Sequence, residues 1–171
     1  MRRILIIGCS GSGKSTLARK LGTITGIPVV HLDQLNWRPG WESVTREEFD
    51  ARLAEVLETP AWIIDGNYSR TMEMRLAKCD TVIYLDFPRR TCLWGMVRRV
   101  TSYHGRTRPD MGSGCPERFD REFVRWIWNY NKNNRERNYR WLNEAHHAEA
   151  IVLKNRRAVK KFLAGIPGNE R

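Results

Sequence analysis

The segment "GCSGSGKST", residues 8–16, constrains the fold more than any other part of the sequence. It satisfies the pattern G-x-x-x-x-G-K-[ST] and lies between the apolar run "RILII" (3–7) and a stretch whose apolar residues have helical spacing. Glycines in such a segment let successive backbone N–H groups curve around phosphate oxygens, and the N-terminus of the following helix adds partial positive charge. The sequence therefore predicts a phosphate-binding loop between the first strand and the first helix.

We expect this loop to bind ATP. The predicted ATP-binding residues are Gly8, Ser10, Gly11, Ser12, Gly13, Lys14, Ser15 and Thr16. Among them, Lys14 would reach the β- and γ-phosphates as a catalytic residue, and the Ser15 hydroxyl would ligate Mg²⁺. Asp65 follows a buried strand, a position that favours a metal role, through water, over simple helix capping. ATP and Mg²⁺ are thus the expected cofactors.

Strands and helices are predicted to alternate along the chain. Apolar runs give five strands, at 3–7, 27–32, 61–65, 81–86 and 150–155. Helices are predicted after the loop as far as Gly26, at 45–58, about 69–78, 89–103 and 156–164, and as two pieces after 118, separated near "NYNKNNRERN". This alternation is typical of βαβ units, so the predicted fold class is α/β: a P-loop NTPase three-layer sandwich, with a five-stranded parallel sheet and helices on both faces.

The length of 171 residues fits a single domain over 1–171, in which only the last residues, "GNER", are expected to be disordered. Four widely separated cysteines without a C-x-x-C pair indicate reduced thiols, and the four histidines show no metal spacing. No apolar stretch approaches the roughly 20 residues of a membrane span. We therefore expect a soluble, cytoplasmic protein without a membrane partner.

Two classes of P-loop protein fit the sequence poorly. Motor and transporter ATPases usually place a glutamate after the acid of the second phosphate-site strand, but Asp65 is followed by Gly66 and Asp86 by Phe87. GTPases carry the guanine signature N-K-x-D, and "NKNN" at 131–134 lacks its aspartate. Neither a hydrolytic motor nor guanine specificity is indicated.

Positive charge is concentrated in one part of the chain. The net charge is +11 and the pI is about 10.0, which favours contact with polyanions. Six arginines and no acidic residue lie between Phe87 and Pro109, namely Arg89, Arg90, Arg98, Arg99, Arg106 and Arg108. Phosphoryl transfer requires neutralisation of charge on the γ-phosphate, so the glycine-hinged segment at about 104–118 is predicted to be a mobile, Arg-rich lid. Arg106 and Arg108 are its predicted catalytic residues.

The segment "HLDQLNWRPGW" (31–41) follows the second strand and places Asp33 at the same sheet edge as the P-loop. An acid there can accept the proton of an attacking hydroxyl, hydrogen-bond the acceptor or support the metal shell, and these alternatives stay open. Trp37 and Trp41 either wall an acceptor pocket or pin the irregular loop onto the domain. We therefore predict Asp33 as a catalytic and acceptor-binding residue, with Trp37 and Trp41 as further acceptor-binding residues.

The P-loop, "WIIDGNYSR", "YLDFP", an Arg-rich helix and a short Arg/Gly loop, in this order, resemble the adenylate-kinase-like group of small P-loop kinases. More closely, "LDQLNWRPGW" followed by "DGNYS" and "VRWIWNY" looks like the bacterial DNA topology modulation protein family, described as P-loop ATPases related to adenylate kinase. The likeness covers nearly the whole chain. The resemblance implies that Arg99 is the arginine at the base of the lid and takes part in catalysis.

By the same resemblance, "DGNYSR" stands where nucleotide kinases carry Asp-Gly-Phe-Pro-Arg. This implies that Asp65 orients water on Mg²⁺. It also implies that Gly66, Asn67 and Arg70 contact the acceptor. The sequence departs from the motif because three residues, rather than two, separate Gly66 from Arg70.

These features favour an ATP-dependent kinase that transfers the γ-phosphoryl group to an unidentified small molecule or nucleotide. The alternative is a nucleic-acid-associated P-loop ATPase or regulator affecting DNA topology, which the charge and the resemblance suggest. Basic and aromatic residues interleave from Arg118 to Trp141, a pattern that can stack single-stranded bases, but their spacing favours a buried helical face. The expected partners are nucleotide and a small-molecule acceptor, with nucleic acid as the alternative.

Overall fold

The computed structural model describes residues 1–167, and the "GNER" segment (168–171), predicted to be disordered, lies outside that range. The strands are β1 (Arg3–Gly8), β2 (Val29–His31), β3 (Trp37–Arg38), β4 (Glu42–Ser43), β5 (Trp62–Asp65), β6 (Thr81–Leu85) and β7 (Glu149–Leu153). The α-helices are α1 (Lys14–Thr25), α2 (Leu32–Asn36), α3 (Arg46–Glu58), α4 (Met72–Leu76), α5 (Arg89–Tyr103), α6 (Arg121–Glu144) and α7 (Arg156–Ala164). None of these helices combines the length and apolarity needed to cross a bilayer.

Five of the strands form one parallel sheet in the order β2-β5-β1-β6-β7. Ile6 and His31 lie opposite Asp65 from either side, so the ends of β1, β2 and β5 meet at one edge. Leu5 points into a core cluster shared with α3, whereas Ile4 points into a second cluster with α1 and α5 on the other face. The predicted α/β sandwich with a five-stranded parallel sheet is confirmed.

Signals in the sequence set the ends of two helices. α1 ends at Thr25, and Gly26 is its C-cap, so the predicted stop at this glycine is confirmed. The side chain of Thr45 caps α3 by accepting a hydrogen bond from the backbone N–H of Glu48. The Glu48 carboxylate pairs with Arg38 and Arg52 rather than with the N-cap, so it ties α3 to the segment that follows β2.

The region after 118 forms one helix of 24 residues, so the prediction of two pieces is wrong. Asp120 caps α6 by accepting hydrogen bonds from the backbone N–H groups of Glu122 and Phe123. Polar residues of the presumed break have partners inside the fold: Arg135 bonds Asp86, and Asn138 donates to the Tyr130 hydroxyl. Because these partners satisfy the polar groups, the helix continues through the run.

The predicted lid, 104–118, folds back on itself and packs against the β3–β4 hairpin. Isolated bridges join His104 to Glu117 and Thr107 to Pro116. The backbone N–H of Gly40 donates to Gly114, over 2.9 Å. The hairpin and the lid segment therefore form one continuous covering over the sheet edge.

Candidate active site

The carboxyl ends of β1, β2 and β5 open onto a cavity of about 840 Å³. The structure brings twelve of the predicted site residues into its wall: Ser10, Gly11, Gly13, Lys14, Ser15, Thr16, Asp33, Asp65, Gly66, Asn67, Arg99 and Arg108. Six predicted residues lie outside the wall that residues 1–167 form: Gly8, Ser12, Trp37, Trp41, Arg70 and Arg106. The cavity thus joins the predicted nucleotide, metal and acceptor residues in one space.

The P-loop packs directly against the backbone of α5. A Cβ atom at Gly11, where φ is +78°, would lie 2.0 Å from the carbonyl oxygen of Cys92, and one at Gly95 would lie 2.0 Å from the carbonyl oxygen of Gly11. Neither contact tolerates a side chain, so the two glycines fix the loop on the helix. The Lys14 ammonium donates to the Cys9 carbonyl over 3.2 Å. The Lys14 ammonium is thereby held on the loop itself, in the wall of the cavity.

Asn67 forms two hydrogen bonds with Gly8, the first residue of the P-loop. Its side-chain amide accepts from the Gly8 N–H at 3.1 Å and donates to the Gly8 carbonyl at 2.9 Å. These paired bonds join the loop after β5 to the end of β1. The amide of Asn67 is therefore engaged with the phosphate-binding loop, although the residue also lines the cavity.

Arg75 forms hydrogen bonds with the backbone of the same loop, the one that follows β5. Its fully buried guanidinium donates to the carbonyls of Gly66, Asn67 and Tyr68, at distances of 3.0, 2.6 and 2.7 Å. Burial lowers the pKa of Arg75 to about 9. Tyr68 has a positive φ of 28°, which costs energy in a residue with a side chain. Arg75 stabilises this strained loop, and nothing in the sequence distinguished it from a surface arginine.

Asp65 has one oxygen bound and one free. The Nδ1 atom of His31 lies 2.9 Å from Asp65 Oδ2, and both side chains are buried. The other oxygen, Oδ1, is buried without a hydrogen-bond partner among residues 1–167. A buried carboxylate oxygen without a partner, in the same cavity wall as Ser15, fits the oxygen ligation that Mg²⁺ prefers. Sequence reasoning gave His31 no role, because its partner lies on another strand.

Asp33 is bound by Tyr68. The Tyr68 hydroxyl donates to Asp33 Oδ1 over 2.8 Å, and its ring stacks on Phe49, with centroids 5.1 Å apart. Burial raises the pKa of Asp33, although the Tyr68 hydrogen bond and the charges of Arg108 and Lys14 act in the opposite direction. An oriented carboxylate with a raised pKa is suited to accepting a proton.

Two of the arginines in the cavity wall, Arg99 and Arg108, share one buried acid. Glu117 forms ion pairs with Arg99, at 3.1 Å, and with Arg108 Nε, at 2.6 Å. Arg99 also donates to the hydroxyl of Ser10 in the P-loop over 3.0 Å. Burial lowers the pKa of Arg99. Glu117 therefore holds both guanidinium groups in the cavity wall, and Arg99 reaches the phosphate-binding loop. The sequence did not indicate this role of Glu117.

Asp110 adds a second acid to this cluster. Its carboxylate pairs with Arg108 at 2.6 Å and with Arg19, on α1, at 3.3 Å. Burial opposes ionisation, but the charge of Arg108 and a hydrogen bond from Ser15 hold the pKa of Asp110 below its usual range. The lid segment is thereby attached to the P-loop helix. Sequence reasoning missed Asp110 because two of its partners, Arg19 and Ser15, lie far away along the chain.

The remaining predicted acceptor residues bind protein groups. Arg70 forms a two-pronged ion pair with Asp50, with both contacts at 2.7 Å. Trp37 and Trp41 meet edge to face, with centroids 5.6 Å apart, and the Trp41 indole donates to the Pro116 carbonyl over 3.2 Å. Of the two uses left open for the tryptophans, these contacts correspond to pinning the loop, here onto the lid segment.

Two aromatic residues of α6, Phe123 and Trp126, also line the cavity. The sequence favoured a buried face for this part of the chain. The residues whose spacing predicted this face are Phe119, Phe123, Trp126, Ile127 and Tyr130. Ile127 and Tyr130 are indeed buried, but Phe119 and Trp126 are 59% and 42% exposed. The prediction of a buried aromatic face is therefore correct for only part of α6.

No protein-family model and no curated protein matches the sequence. Solved structures do match. The chain is similar to shikimate kinase from Bacteroides thetaiotaomicron, with 17% identity and a TM-score of 0.55 over 95% of this chain and 94% of that one. It is also similar to shikimate kinase from Acinetobacter baumannii in complex with shikimate, with 17% identity and a TM-score of 0.56 over 96% and 89% of the two chains. The chain therefore has the α/β P-loop fold of these two proteins.

Proposed function

We propose that this protein is an ATP- and Mg²⁺-dependent kinase that transfers the γ-phosphoryl group to a hydroxyl of a small molecule bound beside Asp33. The observation that carries the proposal is the single cavity that joins Asp33, held by Tyr68, to Lys14 and to Arg99 and Arg108. The likeness to two shikimate kinases, one in complex with shikimate, adds support for a small-molecule acceptor.

The donor end has a fitting residue set for Mg²⁺-ATP. Gly11 and Gly13, both at positive φ, shape the backbone cradle, and Lys14 contributes a positive charge beside it. Ser15 and the free oxygen of Asp65 would hold Mg²⁺, and His31 fixes the orientation of that carboxylate. When bound, the metal supplies charge neutralisation at the transferred phosphate.

The acceptor end favours an alcohol over a phosphate. The oxygen of an alcohol must lose its proton during transfer, and Asp33, with its raised pKa and fixed orientation, can accept that proton. A nucleoside monophosphate is already anionic near neutral pH and would be repelled by Asp33 and Asp65. Arg70, expected from the resemblance to bind an acceptor phosphate, is instead paired with Asp50 outside the cavity.

Arg99 and Arg108 stabilise the negative charge of the phosphoryl group during its transfer. Arg99 and Arg108 supply positive charge beside the P-loop, and Glu117 holds them in place before substrate arrives. Because the carboxylate keeps both guanidinium groups oriented, little reorganisation is needed when phosphate charge develops between donor and acceptor.

The test is a survey of ADP release with Mg²⁺-ATP and two sets of acceptors: alcohols (sugars, cyclic polyols and nucleosides) and nucleoside monophosphates. We expect turnover with one class of alcohol. Asp33→Asn should lower kcat about 100-fold or more, the range for loss of a general base, while ATP binding is retained. Lys14→Ala is the matched donor-site variant and should lose both ATP affinity and transfer. Efficient transfer to monophosphates, or full activity in Asp33→Asn, would contradict the proposal.

A second candidate, a nucleic-acid-associated P-loop ATPase, follows from the finer resemblance to the topology modulation proteins. The observation that favours it is the guanidinium of Arg89, 4.6 Å above the exposed ring of Trp128. Such an arginine and aromatic pair on a basic surface can contact a polyanion and its bases.

A further inference from the structure

Phe123 and Trp126 form an aromatic pair on the first turns of α6 that the proposed reaction does not use. Their rings are parallel within 7°, with centroids 5.6 Å apart. The ring of Tyr130 meets Trp126 at 66° and 5.0 Å, and Tyr130 is itself buried and bonded to Asn138. Contact with the buried Tyr130 therefore fixes the orientation of the Trp126 ring, and the pair presents flat aromatic surfaces.

The aromatic pair lies in the wall of the cavity that holds the P-loop. Arg99 connects the two, because its guanidinium is 5.5 Å from the Phe123 ring and donates to Ser10 in the loop. Trp126 nevertheless keeps 42% of its surface exposed, whereas its neighbour Ile127 is fully buried. A large indole left open in a concave wall, next to a phosphate cradle, is surface that a bound ligand can cover.

We propose that Phe123 and Trp126 are a stacking platform for a planar aromatic ring of a ligand bound in this cavity. This inference rests on the proposed function and extends it. The shared chemistry is a flat π-system that stacks on the indole face. Two ligands could supply this ring. One is the nucleotide, through the base attached to the phosphates in the P-loop, and the other is the alcohol acceptor, through an aromatic group of its own. The cavity, at about 840 Å³, is large enough for ligands of this size.

The experiment compares binding of Mg²⁺-ATP with that of Mg²⁺-tripolyphosphate, which carries phosphates without a base, by titration calorimetry. Removal of a stacking residue costs about 5- to 150-fold in affinity per base. For Trp126→Ala we expect ATP affinity to fall within that range while tripolyphosphate affinity is unchanged, and Trp126→Phe should restore most of the loss. Trp128→Ala is the matched control, because Trp128 is equally exposed on the same helix but lies outside the cavity wall.

The second arm uses adenosine and 3-pyridinemethanol as aromatic alcohols. Weaker binding of these alcohols to Trp126→Ala, with ATP affinity unchanged, would support the platform and place the ring on the acceptor. The platform is overturned if Trp126→Ala changes neither ATP nor alcohol binding, or weakens tripolyphosphate as much as ATP. If the unsubstituted protein bound neither ATP nor tripolyphosphate, the proposed function would fail, and this inference with it.

Discussion

The hydrogen bond from Tyr68 to Asp33 allows a test of the proton acceptor at the scale of single residues. Asp33 is faced by Tyr68, Asp65, Arg108 and Lys14, and the Tyr68 bond stabilises the ionised carboxylate and so lowers its pKa. Removal of that bond in Tyr68→Phe should raise the pKa of Asp33. Because transfer needs the ionised form, the acidic limb of kcat/KM should move to higher pH, which a pH profile of the variant measures.

Tyr103→Phe is the control for this substitution. Tyr103 also lines the cavity, and its hydroxyl is not among the groups that shift the pKa of Asp33. The acidic limb of this variant should stay where it is in the unsubstituted protein. A limb that stays in place or moves to lower pH in Tyr68→Phe would show that Asp33 does not accept the proton.

Single residues also show where sequence reasoning about the site succeeds and where it ends. The shared location of Lys14, Asp33 and Asp65 could be predicted because each lies at or within a few residues of the end of a strand, and the ends of parallel strands meet at one edge of a sheet. Arg75 and Glu117 could not. Their roles depend on partners in other segments, which come together only in the folded chain.

At the scale of elements, hydrogen bonds connect the lid segment to the β3–β4 hairpin, whereas a loop hinged only by its glycines would not need such contacts. The Sγ of Cys115 donates to the Arg38 carbonyl of the hairpin over 3.0 Å, and Gln34, on the preceding helix α2, donates to the Pro109 carbonyl over 2.7 Å. Because Arg108 lies within the lid segment, its position in the cavity depends on this joint. The two elements are therefore expected to move together when ligands bind.

Gly112→Ala tests this joint. A Cβ atom at Gly112 would lie 2.1 Å from the Trp37 carbonyl oxygen, so the two segments must separate. We expect a loss of about 1–3 kcal/mol in stability from overpacking. Backbone amides at 34–43 and 104–118 should exchange hydrogen faster, and kcat should fall more than ATP affinity because Arg108 is displaced. Thermal unfolding, hydrogen exchange and steady-state kinetics measure the three effects.

Gly105→Ala is the corresponding control within the lid. Gly105 has a φ of +67° and no atom within 4 Å of an added Cβ, so the change introduces backbone strain of roughly 1–2 kcal/mol without a clash. Faster exchange should be confined to the residues around 105, with the hairpin still protected. Protection of 34–43 that is equal in Gly112→Ala and the unsubstituted protein would refute the coupling.

The order of elements could be predicted well, whereas the continuity of α6 could not. Alternating apolar runs set the strands and the connecting helices, because each must bury one face against the sheet. The polar run in α6 looked like a break. It is helical because Arg135 binds Asp86, just after β6, and Asn138 binds Tyr130 within the helix itself, contacts that propensity alone does not reveal.

At the scale of the whole molecule, some arginines pair with buried acids and others are exposed. Glu117 and Asp110 pair with Arg99 and Arg108 in the cavity wall, while Arg89 and Arg90 are exposed at the start of α5. The net charge of +11 therefore favours nonspecific attraction of polyanions.

We predict that the protein binds DNA only weakly, without sequence preference and with steep salt dependence. Contact with about four phosphates would lower affinity roughly 100-fold between 50 and 200 mM salt. Fluorescence anisotropy with duplex and single-stranded oligonucleotides of unrelated sequence, titrated at several salt concentrations, measures this slope. Arg89→Glu should reduce it, because one phosphate contact is replaced by repulsion.

ATP turnover measured with and without DNA decides between the two functions. If the cavity serves a small alcohol, saturating DNA should leave ATP consumption unchanged at physiological salt, since the basic surface around Arg89 and Trp128 lies outside the cavity wall. Stimulation of hydrolysis by DNA, lost in both Lys14→Ala and Arg89→Glu, would instead favour the nucleic-acid-associated ATPase. Tight binding that survives 200 mM salt would point the same way, because surface charge alone does not produce it.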